Sequence, residues 1–169
     1  MRKLYLLSAL LLLGTNLAWA QPANDECVNA IELTDLNNWC SVQDAFTTIN
    51  ATVSPEDNPS CFPNNQNAFD VWFTFTAVAT EISITVAGET DLNDGGTIQD
   101  PQFALYEGSC DLLGDPIACG SDNANADEIT VIQSGLVIGE TYFLRVSARF
   151  NQTGTFQLCL NNFSEVPAP

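Results

Sequence analysis

Histidine is absent from the 169 residues. Without an imidazole there is no serine–histidine or cysteine–histidine nucleophile pair. Lysine is nearly absent too, because Lys3 is the only one and it falls in a basic N-terminal start. Schiff-base and serine–lysine chemistry are therefore excluded from everything beyond that start. No glycine-rich loop runs into Lys-Ser/Thr, no dinucleotide fingerprint is present, and no CxxC pair offers zinc a ligand set. Only carboxylate chemistry survives these absences. A glycosidase needs two carboxylates about 5–9 Å apart across a cleft, and with 21 acids a small carboxylate-based hydrolase stays open as an alternative function.

Long hydrophobic runs are also missing after the first twenty residues. Met1-Arg2-Lys3, an apolar run over 4–13 and the small-x-small pattern Ala18-Trp19-Ala20 together predict a secretory signal at 1–20. The run is shorter than the roughly 20 residues needed to cross a bilayer, which predicts no membrane insertion. Its removal leaves two cations, Arg145 and Arg149, against 21 acids, a net charge of −19. Such a surface repels nucleic acid and anionic lipid, and suits divalent cations, basic partners or plain solubility.

What is present is a pattern of period two. In 69–76, Phe69, Val71, Phe73 and Phe75 share one face of a strand, while Asp70, Trp72, Thr74 and Thr76 share the other. This predicts a strand near the middle of a sheet, its back partly covered. Similar alternation predicts strands at 30–34, 46–53, 81–87, 102–107, 128–133, 141–148 and 155–160. Between them, 35–41, 54–68 and 88–101 read as loops rich in turn residues. About eight short strands and no amphipathic helix predict an all-β fold, an antiparallel β-sandwich of jelly-roll or CUB-like type, over 21–163. A tail follows at 164–169. Its Val166-Pro167-Ala168-Pro169 reads as a linker and predicts one unit of a multidomain chain.

Six cysteines, Cys27, Cys40, Cys61, Cys110, Cys119 and Cys159, in an exported chain predict three disulfides. Six permit 15 pairings, among which sequence does not choose. The short, turn-rich loop it closes favours Cys110–Cys119, with Cys40–Cys61 and Cys27–Cys159 as companions.

Several segments in order carry a family resemblance. They are Asn24-Asp25-Glu26-Cys27 with Ala30-Ile31-Glu32-Leu33, then Asp70-Val71-Trp72-Phe73-Thr74-Phe75, then Ala104-Leu105-Tyr106-Glu107-Gly108-Ser109-Cys110 and Ile117-Ala118-Cys119. Gly139-Glu140-Thr141-Tyr142-Phe143-Leu144-Arg145-Val146 and Thr153-Gly154-Thr155-Phe156-Gln157-Leu158-Cys159 complete the series. Together they resemble the pre-peptidase C-terminal-like and CUB-like β-sandwich modules of secreted bacterial proteins, common in the Bacteroidota. The resemblance implies a non-catalytic module carried beside proteases, other hydrolases or adhesins, used for attachment, substrate approach or spacing. Asp100-Pro101-Gln102-Phe103 stands where many relatives read Phe-Asp-Thr, behind an enlarged acidic loop.

Two sets of residues are candidates for a site. Asp91, Asn93, Asp94 and Asp100 in one loop, with Asp122, Asn123, Asp127 and Glu128 in another, offer the oxygen ligands that calcium takes on adaptable loops. Asp91-Leu92-Asn93-Asp94-Gly95-Gly96 opens like an EF-hand loop, but Gly95 at the fifth position and Gln102 at the twelfth break that match. A solvated acidic loop is the competing reading. The second set is aromatic: Trp72 and Trp39 are the rings that could stack on a sugar or a partner, although a ring as large as Trp72 is more often buried. Trp39, read in a loop, is the better exposed candidate. The two arginines face many acids and are expected to pair within the protein. These observations predict a secreted accessory module for binding, adhesion or spacing, with an extracellular protein or polysaccharide as partner and calcium as the candidate cofactor. A calcium-dependent carbohydrate-binding module is the alternative within binding.

Overall fold

The computed structural model describes residues 20–62, 68–90, 95–121 and 127–163. Within these the chain forms ten strands: β1 (Ile31–Leu33), β2 (Trp39–Cys40), β3 (Phe46–Thr47), β4 (Val71–Thr76), β5 (Glu81–Ala87), β6 (Pro101–Glu107), β7 (Ala118–Ser121), β8 (Glu128–Ser134), β9 (Thr141–Ala148) and β10 (Thr155–Phe163). No α-helix occurs among the described residues, only three-residue 3-10 turns such as Cys27–Asn29 and Cys110–Leu112. No helix there is long and apolar enough to cross a membrane.

The strands make two sheets, one ordered β1-β4-β9-β6-β7 and the other β2-β10-β5-β8, with β3 paired to β10. The fold is a β-sandwich, as the alternation predicts. Its pairings are antiparallel with one exception: β1 runs parallel to β4, Ile31 opposite Phe73 and Leu33 opposite Phe75. A parallel neighbour needs a long connection, and 34–70 supplies it. The predicted strand at 46–53 shortens to Phe46–Thr47, leaving Val53 in a lone bridge to Phe69.

Inward residues come from every long strand. Val71, Phe73 and Phe75 on β4, Phe103 and Leu105 on β6, and Leu144 and Val146 on β9 face Ile82, Ile84 and Val86 on β5 and Phe156, Leu158 and Leu160 on β10. Aromatic rings join the layers: Phe46 meets Phe73 edge-on at 4.7 Å, and Phe73 meets Phe156 at 6.2 Å. Such edge-to-face pairs add about 0.5–1.5 kcal/mol beyond burial.

The outer face of the first sheet is buried too. Trp72, Arg145, Ala104 and Cys119 stand opposite one another across β4, β9, β6 and β7. With Cys27, Phe62, Ala68 and Tyr106, the apolar members of that row form a second small core under the N-terminal segment and the 54–62 loop. Asn24 is part of the cover: its backbone oxygen accepts the Trp72 N–H at 2.8 Å and its side-chain amide donates to the Trp72 carbonyl at 2.9 Å.

The disulfides follow this layering and correct the expected pairing. They are Cys27–Cys110, Cys40–Cys159 and Cys61–Cys119. Cys119 points outward from β7 beneath the 54–62 loop and so meets Cys61, whereas Cys110 lies past the end of β6 and takes Cys27. Cys159 sits directly opposite Cys40 in the β10–β2 ladder. Loop length decided none of these.

Candidate functional site

Arg145 organises the covered face. Both it and Asp70 are fully buried, and the guanidinium meets the carboxylate at 2.5 Å. The same guanidinium donates to the Asp57 carbonyl at 3.0 Å and to Asn58 Oδ1 at 3.2 Å. Ser54 donates to Asp70 and accepts the indole N–H of Trp72 at 2.8 Å. The Arg145 guanidinium carbon lies 5.4 Å from the Trp72 ring and 5.8 Å from that of Phe62. One buried cation thus ties the sheet to the loop above it. Burial pushes the Asp70 carboxyl up from 3.8 to about 6, against the opposing pull of Arg145 and the Ser54 hydrogen bond.

That anchored loop forms one wall of a groove whose other wall is 110–116. Two adjoining cavities, about 310 and 620 Å³, share Asp57, Tyr106, Leu113 and Gly114. Tyr106 is the floor, its ring 5.9 Å from Trp72. Burial raises its phenol above the usual range, against the opposing pull of Arg145, which also hydrogen-bonds it. Glu56, Asp57, Asp111 and Asp115 supply carboxylates, and Pro55, Pro116 and Leu113 supply apolar contact. Cys61–Cys119 pins the first wall and Cys27–Cys110 the second. A groove built this way is pre-formed, with acceptors above an aromatic base.

The sequence-derived candidates fall elsewhere. Trp72 is fully buried beneath the groove; its ring offers no face to a ligand, which removes it as a direct binding residue. Trp39 lies in β2 rather than in a loop, half-buried against the main core. Of the acidic set, Asp100 and Asp127 come together at the sandwich end where β5 leads into β6: the Asp100 N–H donates to Asp127 Oδ1 at 3.0 Å, and the Gly88 N–H to the Asp127 carbonyl at 2.7 Å. The backbone is tight here, since a Cβ on Gly88 would lie 1.9 Å from the Ile98 carbonyl oxygen. Glu128 opens β8 next to Asp127. Asp91, Asn93, Asp94, Asp122 and Asn123 lie outside the described residues, as do 1–19 of the expected leader and the 164–169 tail. Among the described residues no group of three or more acidic or sulfur side chains could hold a metal. Asp100 and Asp127 are hard oxygen donors, fit for calcium in kind, but two carboxylates fall short of its six to eight ligands.

Sequence reasoning missed the groove. The signal was Asp70 facing the same way as Trp72, combined with Arg145 on another alternating strand: a charge of each sign on outward faces that would otherwise meet solvent.

Fold and groove together define a disulfide-braced β-sandwich module whose polar chemistry sits in loops over one sheet. The chain belongs to the T9SS-associated galactose binding domain-like family, whose model matches residues 23–160. No curated protein matches the chain. Among solved structures it is similar to the pre-peptidase C-terminal domain of a collagenase from Bacillus anthracis, at 16% identity and a TM-score of 0.42, over 78% of this chain and 94% of that one. It is also similar to a family 6 carbohydrate-binding module, at 14% identity and a TM-score of 0.38, over 77% of this chain and 97% of that one.

Proposed function

We propose that this chain is a secreted, non-catalytic accessory module that holds carbohydrate for a larger extracellular protein, with the groove over Tyr106 as its binding face. The observation that carries this reading is the groove itself: carboxylate acceptors and apolar side chains over a tyrosine floor, held by two disulfides and by Arg145. Sugar hydroxyls donate well to carboxylates, and the C–H face of a pyranose packs on apolar surface. Pre-formed walls lower the ordering cost that binding otherwise incurs. The family's description as galactose binding domain-like supports a sugar ligand, and three disulfides suit an oxidising exterior.

The test is calorimetric titration with a panel of neutral polysaccharides, galactose-bearing ones included. Wild type is expected to bind at least one, and Asp57→Asn/Asp111→Asn to bind it at least tenfold more weakly. Equal binding by the double variant would displace the ligand from the groove. Release of reducing ends during incubation would overturn the non-catalytic reading.

Calcium enters as a second proposal, favoured by the meeting of Asp100 with Asp127. The ion would be held at that loop end, with Asp91, Asn93, Asp94 and Asp122 as further ligands, and would supply loop order rather than chemistry. A ligand that binds only the native state raises the melting midpoint by mass action. A midpoint identical in millimolar calcium and in chelator would eliminate it.

A further inference from the structure

The turn between β9 and β10 carries a backbone cost that neither the fold nor the groove explains. Phe150 has φ 57 and ψ 28, and Asn151 after it has φ 58. A bulky residue in the left-handed region is a genuine outlier, whereas glycine or asparagine rests there cheaply. Phe150 also forgoes much of what a phenyl ring gains by burial, because it is 50% exposed and joins neither core cluster. Folding alone would favour another residue.

The ring is nonetheless held. The Arg149 guanidinium carbon lies 4.8 Å from its centroid. The Arg149 N–H donates to the Asp100 carbonyl at 3.0 Å, and the Gln152 N–H to the Arg149 carbonyl at 3.1 Å. Asp100 (φ 48) and Asp127 (φ 52), bonded to each other, add two more left-handed residues to the same end. Aspartate and asparagine tolerate this region, so the strain is that of Phe150 alone, and a strained residue held in place by its surroundings is a candidate for use.

We propose that Phe150 is a stacking platform for the C–H face of a neutral sugar unit, an inference that rests on the carbohydrate reading above but uses a different surface. In the β6–β9 ladder Pro101 faces Ala148 and Glu107 faces Tyr142, so Phe150 stands at the opposite end of the sandwich from the 110–116 wall of the groove. The surroundings select the ligand. Asp100 and Asp127 disfavour an anion. A cation would compete with Arg149 for the same π-system. A neutral pyranose sets its apolar face on the ring and its hydroxyls toward acceptors. A polymer long enough to reach both surfaces would gain affinity by avidity without any new contact type.

The experiment pairs stability with binding. Phe150→Gly, Phe150→Asn and Phe150→Tyr are compared with wild type by urea denaturation and by titration with the neutral polysaccharide that wild type holds best. Phe150→Gly and Phe150→Asn are expected to denature at an equal or higher urea midpoint and to bind at least fivefold more weakly, with Phe150→Tyr binding as wild type. A lowered midpoint in both Phe150→Gly and Phe150→Asn assigns the ring to folding and overturns the proposal. Wild-type affinity in those two variants, alongside loss in Asp57→Asn/Asp111→Asn, overturns the platform and leaves the groove standing. Failure of wild type to hold any polysaccharide overturns both.

Discussion

The outer faces of the two sheets start from the same alternation and end in different environments. On β4, β9 and β6 the outward residues Trp72, Arg145 and Ala104 are sealed beneath loops pinned by Cys27–Cys110 and Cys61–Cys119. On β5, β8 and β10 the outward residues Ser83, Thr85, Thr130, Ile132 and Asn161 lie partly or wholly open, and the third disulfide, Cys40–Cys159, simply staples neighbouring strands. Period two says which residues leave the main core. What receives them is decided by the loops, and where a loop is fastened across a sheet even an aspartate and an arginine are taken out of water. That burial is tolerated because each finds the other, for an unpaired buried charge costs several kcal/mol.

The largest expected effect breaks the covered face. Arg145→Met keeps the bulk of the stem but removes the cation paired with Asp70 and the donor to the Asp57 carbonyl and Asn58 Oδ1. Removing one partner of a buried pair costs about 3–5 kcal/mol, so the urea midpoint at pH 7 should fall steeply. The groove wall loses its post in the same step, and sugar affinity should fall in molecules that remain folded. A loss below about 1 kcal/mol would mean that water reaches the pair and the face is not sealed.

This contrast also marks how far the sequence could be read. The alternations at 71–76, 81–87, 141–148 and 155–160 were enough to place β4, β5, β9 and β10 and their inward residues, because a stripe of Phe, Ile, Val and Leu has only one place to go. The pairing of the cysteines was not legible. It depends on which loop crosses which face, and Cys61 and Cys119 are brought together by the folding of the sheet between them. Arg145 was expected to pair inside the protein, and it does. Its partner Asp70 lies 75 positions away, and only the β4–β9 register, which sets Trp72 against Arg145, brings them together. Trp39 was misplaced because a two-residue strand has no period to detect. The groove escaped for the same reason as the disulfides, its two walls coming from loops that carry no repeat.

A smaller effect sharpens the comparison through pH. Asp70 is raised from 3.8 to about 6, chiefly by burial. Its native form therefore keeps a proton that the unfolded chain gives up, so its contribution is fully present below about pH 4 and is lost as pH rises through 6. Two pK units amount to about 3 kcal/mol. Asp70→Asn cannot titrate, so the stability difference between wild type and this variant should narrow by about that much from pH 4 to pH 7. Parallel curves would show that the sealed face leaves the carboxyl at its ordinary value.

The smallest expected effect comes from the open face and tests whether it is open. Thr85 and Thr130 stand opposite each other across β5 and β8, with their hydroxyl oxygens 2.7 Å apart. A cross-strand pair of this kind is worth about 0.2–1 kcal/mol, and water replaces the hydroxyl contact when it is lost. Thr85→Val, Thr130→Val and the double variant keep the β-branched shape, so each should unfold within about 0.5 kcal/mol of wild type, with a coupling energy below about 1 kcal/mol in the double-mutant cycle. On a sealed face the same change would strand a buried hydroxyl and cost about 1–3 kcal/mol. The two outcomes are far enough apart for urea denaturation to separate. A large loss at Thr85 or Thr130 would mean that a covering layer exists on both sheets, and the difference between them would then be one of loop chemistry rather than of exposure.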